Sequence, residues 1–206
     1  MSAPSERRLR DTIYDKFFEL AGEVQSGKIT REEFAHELTQ QQIENFKDSL
    51  TGLYNRKFFD EEIGLLIHRA ERQEKPLSIV LVDLDNLKII NDKWGHLAGD
   101  KVLEVIGGTI KKNVRLSDVA ARYGGDELAV LLPNADEDEA KKIAERLLKA
   151  VQVKKVDMGK EKIKFTISIG VASLKKGMTA KELIDKADKA LYQAKNEGKG
   201  RWQTRG

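Results

Sequence analysis

Residues 119–132 read Val-Ala-Ala-Arg-Tyr-Gly-Gly-Asp-Glu-Leu-Ala-Val-Leu-Leu, which is two apolar runs on either side of a glycine pair. Short apolar runs bounded by turn residues are typical of buried strands, and the glycines between them indicate a hairpin. Both glycines are expected to take positive φ angles. The pattern therefore predicts antiparallel strands from Val119 to Tyr123 and from Leu128 to Leu132, with Asp126 and Glu127 at the hairpin tip.

The segments around this hairpin alternate between strand and helix patterns. Residues 77–83 form a near-continuous apolar run, which predicts a buried strand, and residues 163–171 alternate apolar with polar or small side chains, which predicts another. Helices are expected over about 57–72, 98–114 and 137–151, and a last one after a capping box of Thr179 and Glu182. This order predicts an α/β fold with a mixed central β-sheet flanked by helices.

The composition excludes several classes of protein. The 206 residues carry a net charge of only +3 and no cysteine, which excludes disulfides and thiolate metal sites and argues against a nucleic-acid-binding protein. No apolar run reaches the length of a membrane span, and the N-terminus lacks the apolar core of a secretion signal. We therefore expect a cytoplasmic protein that uses neither a membrane nor a nucleic acid as partner.

Residues 1–47 differ from the rest of the chain. Apolar residues recur at helical spacing up to Val24, Ser26 and Gly27 interrupt the pattern, and Thr30 with Glu33 forms a second capping-box sequence. These features predict an N-terminal helical hairpin at 1–47, and a main domain at 48–206. Two short helices bury little surface alone, so we expect this segment to promote oligomerisation or to serve regulation.

Acidic residues follow the predicted strand and the hairpin. Asp83 and Asp85 lie at the carboxyl end of the buried strand, where α/β folds place ligand sites. If the hairpin lies beside this strand, Asp83 and Asp126 converge, and a hard cation such as Mg²⁺ would relieve their repulsion. The alternative is that these acids are ordinary solvated loop ends.

Two further segments allow a functional and a structural interpretation. Asn91 and Asp100 flank a glycine-containing segment; they could bind a guanine edge, or Asp100 could be an ordinary first-turn acid of the next helix. Lys88 and the residues 195–201, which include Lys195 and Lys199, could bind phosphates, or they could be solvated. These segments alone do not decide between the functional and the structural interpretation.

Taken together, the motifs resemble the GGDEF family of diguanylate cyclases, over about residues 48–203. The matching segments, in chain order, are Asp48-Ser-Leu-Thr-Gly-Leu-Tyr-Asn-Arg56, Asp83-Leu-Asp-Asn-Leu-Lys-Ile-Ile-Asn-Asp92, Gly95-His-Leu-Ala-Gly-Asp100, Arg122-Tyr-Gly-Gly-Asp-Glu-Leu128, Ser168-Ile-Gly170 and Ala187-Asp-Lys-Ala-Leu-Tyr-Gln-Ala-Lys195. Two positions depart from the family's pattern. Leu128 replaces a phenylalanine and should face the core, and Lys199 replaces an arginine, which puts a secondary phosphate contact in doubt.

The resemblance implies a palm-like nucleotidyl cyclase fold and the condensation of two GTP into cyclic di-GMP with release of two pyrophosphates. It implies a homodimer with one GTP per protomer, because the product is two-fold symmetric. It also implies two Mg²⁺ ions per active site, with Mn²⁺ as a substitute, and inhibition by the product. The residues implied are the metal ligands Asp83, Leu84 (through its carbonyl) and Asp126, the catalytic pair Asp126 and Glu127, the substrate-binding residues Lys88, Asn91, His96, Asp100 and Lys195, and the inhibitory-site residues Arg69, Arg115, Asp118 and Arg146.

Two alternatives to an active cyclase remain. In the first, the domain is a non-catalytic receptor for GTP or cyclic di-GMP, and the intact Asp126–Glu127 pair argues against this. In the second, the N-terminal segment is the functional interaction module and the enzyme domain is a passenger. Turnover of GTP separates the first alternative from the cyclase, and deletion of residues 1–47 tests the second.

Overall fold

The computed structural model describes Thr30 and residues 44–159 and 161–205. The chain divides into two units, Met1–Phe46 and Lys47–Gly206, and the fold described below is that of the second. Of the helical hairpin predicted for residues 1–47, the structure describes only Thr30 and residues 44–47; the rest, with Glu33 of the capping box, lies outside the described residues. Its role in oligomerisation stays a prediction.

The second unit alternates helices and strands, as the sequence predicts. In chain order the elements are α1 (Arg56–Gln73), β1 (Leu77–Leu84), α2 (Leu87–Trp94), α3 (His96–Asn113), β2 (Val119–Arg122), β3 (Glu127–Pro133), α4 (Glu137–Gln152), β4 (Val156–Asp157), β5 (Lys162–Ile163), β6 (Ile167–Ser173), α5 (Ala180–Asn196) and β7 (Trp202–Thr204). The predicted capping box of Thr179 and Glu182 is present at the start of α5. The residues preceding α3 form a separate short helix, α2, which the sequence analysis did not predict.

The main sheet is mixed, which confirms the predicted fold class. Its strand order is β2-β3-β1-β6-β7; β1 pairs antiparallel with β3 and β6, and only β7 runs parallel to its neighbour β6. A second, two-stranded sheet contains β4 and β5. The central position of β1 explains why all eight of its residues are buried.

Apolar side chains form one core on each face of the main sheet. One core packs residues of α3 and α4 against alternate positions of β1, β3 and β6. The other packs α1 and α5 against the remaining positions. Leu128 is 1% exposed in the first core, so the residue that departs from the family's pattern faces inward, as predicted.

The strand predicted over residues 163–171 is wrong in its extent. The segment is divided between β5 in the two-stranded sheet and β6 in the main sheet, with residues 164–166 connecting them; the carbonyl of Thr166 accepts a hydrogen bond from Asp85 N just beyond the β1–β6 pairing. The small residues of β6 are not on a solvent face either. A Cβ on Gly170 would overlap the backbone of α5 at the Ala187 carbonyl and at Leu191 N, so α5 covers this face of the strand.

The hairpin between β2 and β3 forms as predicted, but its glycines do not have positive φ angles. Tyr123 N and Gly124 N both donate to the carbonyl of Glu127, and residues 123–126 make a loop longer than a two-residue turn. A Cβ on Gly124 would lie 2.6 Å from Glu127 Oε2, the end of a flexible side chain, which would have to move away. The glycine keeps the Glu127 carboxylate close to the hairpin backbone.

Candidate active site

The end of β1 and the β2–β3 hairpin bring the predicted acidic residues together. Leu84 N donates to the carbonyl of Asp126 at 3.2 Å. In the register of β1 and β3, Asp83 lies opposite Glu127. Three carboxylates from two separate segments therefore meet at one edge of the sheet.

Asp83 is the buried member of this group. Its carboxylate is 8% exposed and pairs with Lys195, whose Nζ lies 2.8 Å from Asp83 Oδ2. Burial raises the pKa of Asp83 to about 6; the Lys195 ammonium opposes this rise, and the charges of Asp126 and Glu127 add to it. The site holds more negative charge than Lys195 alone compensates.

This donor set fits a magnesium ion. Carboxylate and carbonyl oxygens from Asp83, Leu84 and Asp126 are the hard ligands that Mg²⁺ prefers, and the excess negative charge around Asp83 favours a cation. Within the described part of the chain, no group of three or more His, Asp or Glu side chains is arranged as a complete protein cage for a metal. Mg²⁺ commonly takes only one or two carboxylates and completes its shell with waters and substrate phosphates, so these residues fit a nucleotide-bound ion.

Asp85 has surroundings that differ from those of Asp83. It is 3% exposed and accepts hydrogen bonds from Thr166 Oγ1, Ser168 Oγ and Gly200 N. The backbone turns after Leu84, and Asn86 takes a left-handed conformation with φ 61°. The two acids therefore do not act as a pair.

The segment predicted to bind guanine joins α2 to α3. Asn91 lies on α2, and its Oδ1 is a buried side-chain oxygen without a hydrogen-bond partner among the described residues. A side chain on Gly99 would overlap this oxygen, so the glycine leaves room for the Asn91 amide. A buried acceptor of this kind is costly unless a donor reaches it, which favours a ligand here.

Asp100, His96 and Lys88 are exposed around Asn91. Helix α3 begins at His96, so Asp100 lies in its second turn. The prediction of Asp100 as an ordinary first-turn acid is therefore wrong, since the effect of the helix dipole is concentrated in the first turn. A base-binding role of Asp100 stays a prediction.

A contact that the sequence analysis missed supports the acidic hairpin. Arg122 donates through Nε and Nη2 to the carbonyl of Gly125, at 3.2 and 2.8 Å. Its Nη1 lies 3.2 Å from Asp48 Oδ2. Burial acts to raise the pKa of Asp48, but hydrogen bonds from Thr51 and the Arg122 charge outweigh it and lower that pKa. The ion pair with Asp48 holds the Arg122 guanidinium, which in turn fixes the Gly125–Asp126 peptide through the Gly125 carbonyl.

The residues predicted for product inhibition lie around the turn between α3 and β2. Arg115 is exposed, and Asp118 is buried and accepts from Arg115 N at 2.8 Å. Burial raises the pKa of Asp118 above its ordinary range, although the Arg115 amide and charge oppose this. Arg146 donates to the carbonyl of Asn113. Arg69 lines a cavity of about 410 Å³ together with Ser117, the neighbour of Asp118, so Arg69 lies beside the same turn.

Comparison with known proteins places this geometry in a family. Residues 45–201 match the family described as "Diguanylate cyclase, GGDEF domain". The chain belongs to the GGDEF family. Among the described residues, no helix is both long and apolar enough to cross a membrane.

Individual relatives agree with this assignment. The chain is 36% identical over 168 residues to diguanylate cyclase DgcP of Pseudomonas aeruginosa, covering 82% of this chain and 25% of that protein. It is 43% identical over 136 residues to diguanylate cyclase A of Treponema denticola, covering 66% of this chain and 37% of that protein. The crystal structure of the GGDEF domain of DgcB from Caulobacter crescentus, in complex with c-di-GMP, superposes with a TM-score of 0.75 at 31% identity and covers 78% of this chain and 93% of that one. The chain thus spans only a quarter to two fifths of the length of these two curated relatives.

Proposed function

We propose that the chain is a diguanylate cyclase, which condenses two GTP molecules into cyclic di-GMP and releases two pyrophosphates. The observation that carries the proposal is the meeting of Asp83 and Asp126 at the β1–hairpin junction, beside Lys195. An anionic site with hard oxygen donors and a neighbouring ammonium suits a metal–polyphosphate complex. The cyclase names of the relatives and the bound product in the related DgcB structure support the same activity.

Each half-reaction is an in-line displacement at phosphorus. The ribose 3′-oxygen of one GTP bonds to the α-phosphorus of the other, and the bond from that phosphorus to the bridging oxygen of pyrophosphate breaks. The 3′-hydroxyl proton passes to the Asp126 carboxylate, with Glu127 supporting this transfer. Asp83, the Leu84 carbonyl and Asp126 would hold two Mg²⁺ ions, for which Mn²⁺ could substitute, and the bound ions would lower the pKa of the attacking hydroxyl and neutralise the leaving pyrophosphate.

Separate residues bind the two ends of GTP. Asn91 and Asp100 bind the guanine edge, where the Asp100 carboxylate accepts from N1–H and the exocyclic amine and the buried Asn91 Oδ1 gains a donor. His96 lies at the start of α3 in the same segment and contributes to this end. Lys88 and Lys195 bind phosphates, and the contact of Lys195 with the proposed metal ligand Asp83 supports this role.

The reaction requires two copies of the domain. One domain binds one GTP, and the product has two-fold symmetry, so the active protein is a homodimer with two sites facing each other. Residues 1–47 promote this dimer. We place the reaction in the cytoplasm, with GTP as the substrate. Neither a nucleic acid nor a membrane takes part in it.

The product also inhibits the enzyme. Arg115 offers a planar fork for a phosphate or a guanine edge, and Asp118 offers a carboxylate for guanine N–H groups. Arg69 and Arg146 lie at the same region and add positive charge. A doubly charged dinucleotide bound there, and shared with a second copy, holds the two active sites apart.

The experiment that tests the activity compares Asp126→Ala with Asp138→Ala, which removes an exposed acid in the first turn of α4. We expect Asp126→Ala to fold and to lose at least about a thousandfold in the rate of pyrophosphate release, because a metal ligand and proton acceptor is removed. Asp138→Ala should keep the wild-type rate. A near-wild-type rate for Asp126→Ala overturns the assignment, and GTP binding without turnover by the wild type makes the domain a receptor.

A further inference from the structure

Asp85 is a buried carboxylate outside the chemistry described above. Its Oδ2 accepts from Thr166 Oγ1 at 2.7 Å and from Gly200 N at 3.1 Å, and its Oδ1 accepts from Ser168 Oγ at 2.7 Å. The donors belong to three places: the residue before β6, β6 itself and the loop after α5. Because a buried charge is costly unless it is fully hydrogen-bonded, this carboxylate must have all three donors in place.

The loop that Asp85 holds has an unusual backbone. Gly198, Lys199 and Gly200 have consecutive positive φ angles of 112°, 62° and 60°. Glycine takes such angles readily, but lysine does so only against a steric cost. The loop keeps this shape through hydrogen bonds, namely Gly200 N to Asp85 and Lys199 N to the carbonyl of Ala194 at 3.1 Å.

The shape of the loop directs Lys199 towards the active-site edge of the sheet. Lys199 Nζ donates to Asn86 Oδ1 at 2.5 Å, and Asn86 is three residues beyond Asp83. Lys195, at the end of α5, already contacts Asp83. Two ammonium groups therefore lie along the segment 83–86, one held by its helix and the other by the loop.

We propose that Asp85 is a positioning residue for the substrate's phosphates: by fixing the backbone of Gly198–Gly200, it holds Lys199 where its ammonium binds the β- or γ-phosphate of GTP. This inference rests on the proposed function. It gives the two acids of β1 and its following turn separate roles, since Asp83 faces the metal and Asp85 faces the loop. It also predicts that Lys199 can bind a phosphate at a position where the family's pattern has arginine.

Binding of an unreactive substrate tests this role without turnover. The probes are 3′-deoxy-GTP, which lacks the attacking hydroxyl, and GMP, which lacks the β- and γ-phosphates; calorimetry with Mg²⁺ gives both affinities for the full chain. The variants are Asp85→Ala, Asp85→Asn, Lys199→Met and the double variant Asp85→Ala/Lys199→Met. The matched control is Ser78→Ala, which removes another fully buried, doubly hydrogen-bonded polar group at the opposite end of β1.

We expect Asp85→Ala and Lys199→Met each to weaken 3′-deoxy-GTP about tenfold and to leave GMP unchanged, as loss of one charge-assisted phosphate contact would. The double variant should be no weaker than Lys199→Met, because Asp85 acts only through that lysine. Asp85→Asn should stay within about threefold of the wild type, since the amide oxygen can accept from Thr166 and Gly200 and the amide nitrogen can donate to Ser168. Ser78→Ala should lose stability but not affinity.

Three results would overturn the inference: wild-type affinity in Asp85→Ala, equal weakening of GMP and 3′-deoxy-GTP, or additive losses in the double variant. If Asp85→Ala does not fold, Thr166→Val removes one donor to the same oxygen, and unchanged 3′-deoxy-GTP affinity there would contradict the role. A wild-type chain that binds no 3′-deoxy-GTP overturns the proposed function itself. Binding by the wild type with unaffected variants overturns only the role of Asp85.

Discussion

At the scale of single residues, the site contains one carboxylate, that of Asp83, which is hard to ionise in the folded protein. Asp83 is buried beside two other acids, and its pKa is raised to about 6 in spite of the Lys195 ammonium. A group that is hard to ionise in the folded protein destabilises that fold once it is ionised. A metal ion would reverse this effect, so stability and ligand affinity oppose each other at this residue.

The pH dependence of stability tests this description of Asp83. The unfolded chain ionises Asp83 near pH 4 and the folded protein near pH 6, so its contribution to stability falls as the pH rises through this window. Asp83→Asn removes this penalty, and we expect the metal-free variant to be more stable than the wild type by about 1–3 kcal/mol at pH 7. Urea denaturation in EDTA at pH 4 to 8 measures the difference, which should vanish near pH 4. A less stable variant at pH 7 would mean that the Lys195 ion pair outweighs burial.

The proposed function assigns base selection to Asp100. A carboxylate accepts two parallel hydrogen bonds from guanine, whereas adenine offers no such donor pair. Asp100→Ser should lower the preference for GTP over ATP by about 10- to 100-fold, measured as the ratio of the two values of kcat/KM. Asp92→Ser, which removes an exposed acid of the same segment, is the control and should keep the wild-type ratio. An unchanged preference in Asp100→Ser would exclude this residue as the guanine acceptor.

At the scale of elements, local sequence patterns predicted the helices and strands themselves better than the contacts between these elements. The apolar run of β1, the capping box of α5 and the β2–β3 hairpin all follow from neighbouring residues, and all are present. Asp83 and Asp85 are two apart and would share a face in a continuing strand. Ser168, which lies opposite Asp83 in the sheet, donates to Asp85, so the two acids differ in their hydrogen-bond partners: Asp83 pairs with Lys195, and Asp85 accepts from Thr166, Ser168 and Gly200.

The supporting contacts of the site were beyond sequence reasoning for a related reason. Asp48 and Arg122 are 74 positions apart, and Asp85 and Gly200 are 115 apart. No local periodicity relates residues that are so far apart in the sequence, and only the folded sheet brings them together. The covered small face of β6 is a similar case, because alternation shows two faces but not that a helix covers the second one.

Two glycines test the packing of these elements. Gly170→Ala places a Cβ against the backbone of α5, which cannot yield as a flexible side chain would, so we expect a loss of about 2–4 kcal/mol in the free energy of unfolding. Gly108→Ala is the matched control within α3, where a Cβ meets nothing within 4 Å. It should stabilise the protein by about 0.5–1 kcal/mol, since alanine favours a helix over glycine. Equal effects of the two substitutions on denaturant midpoints would contradict the packing of α5 on β6.

At the scale of the whole molecule, the proposed activity requires two copies of the chain to bring their sites face to face. A product site around Arg115 would act on this meeting and not on the chemistry within one domain. Arg115→Ala should therefore keep the initial rate of the wild type but escape the slowing that follows as cyclic di-GMP accumulates. Progress curves with added product measure this, and Lys111→Ala, an exposed basic residue of α3, is the control. Superimposable curves for Arg115→Ala and the wild type would overturn the inhibitory site.

Product analysis decides whether the chain makes cyclic di-GMP from GTP. The protein is incubated with GTP and Mg²⁺, the nucleotides are separated and identified by mass, and the released pyrophosphate is quantified. We predict cyclic di-GMP as the product, with two pyrophosphates for each molecule formed, and no product when EDTA is present. Recovery of unchanged GTP, or of GDP and phosphate in place of the cyclic dinucleotide, would contradict the claim.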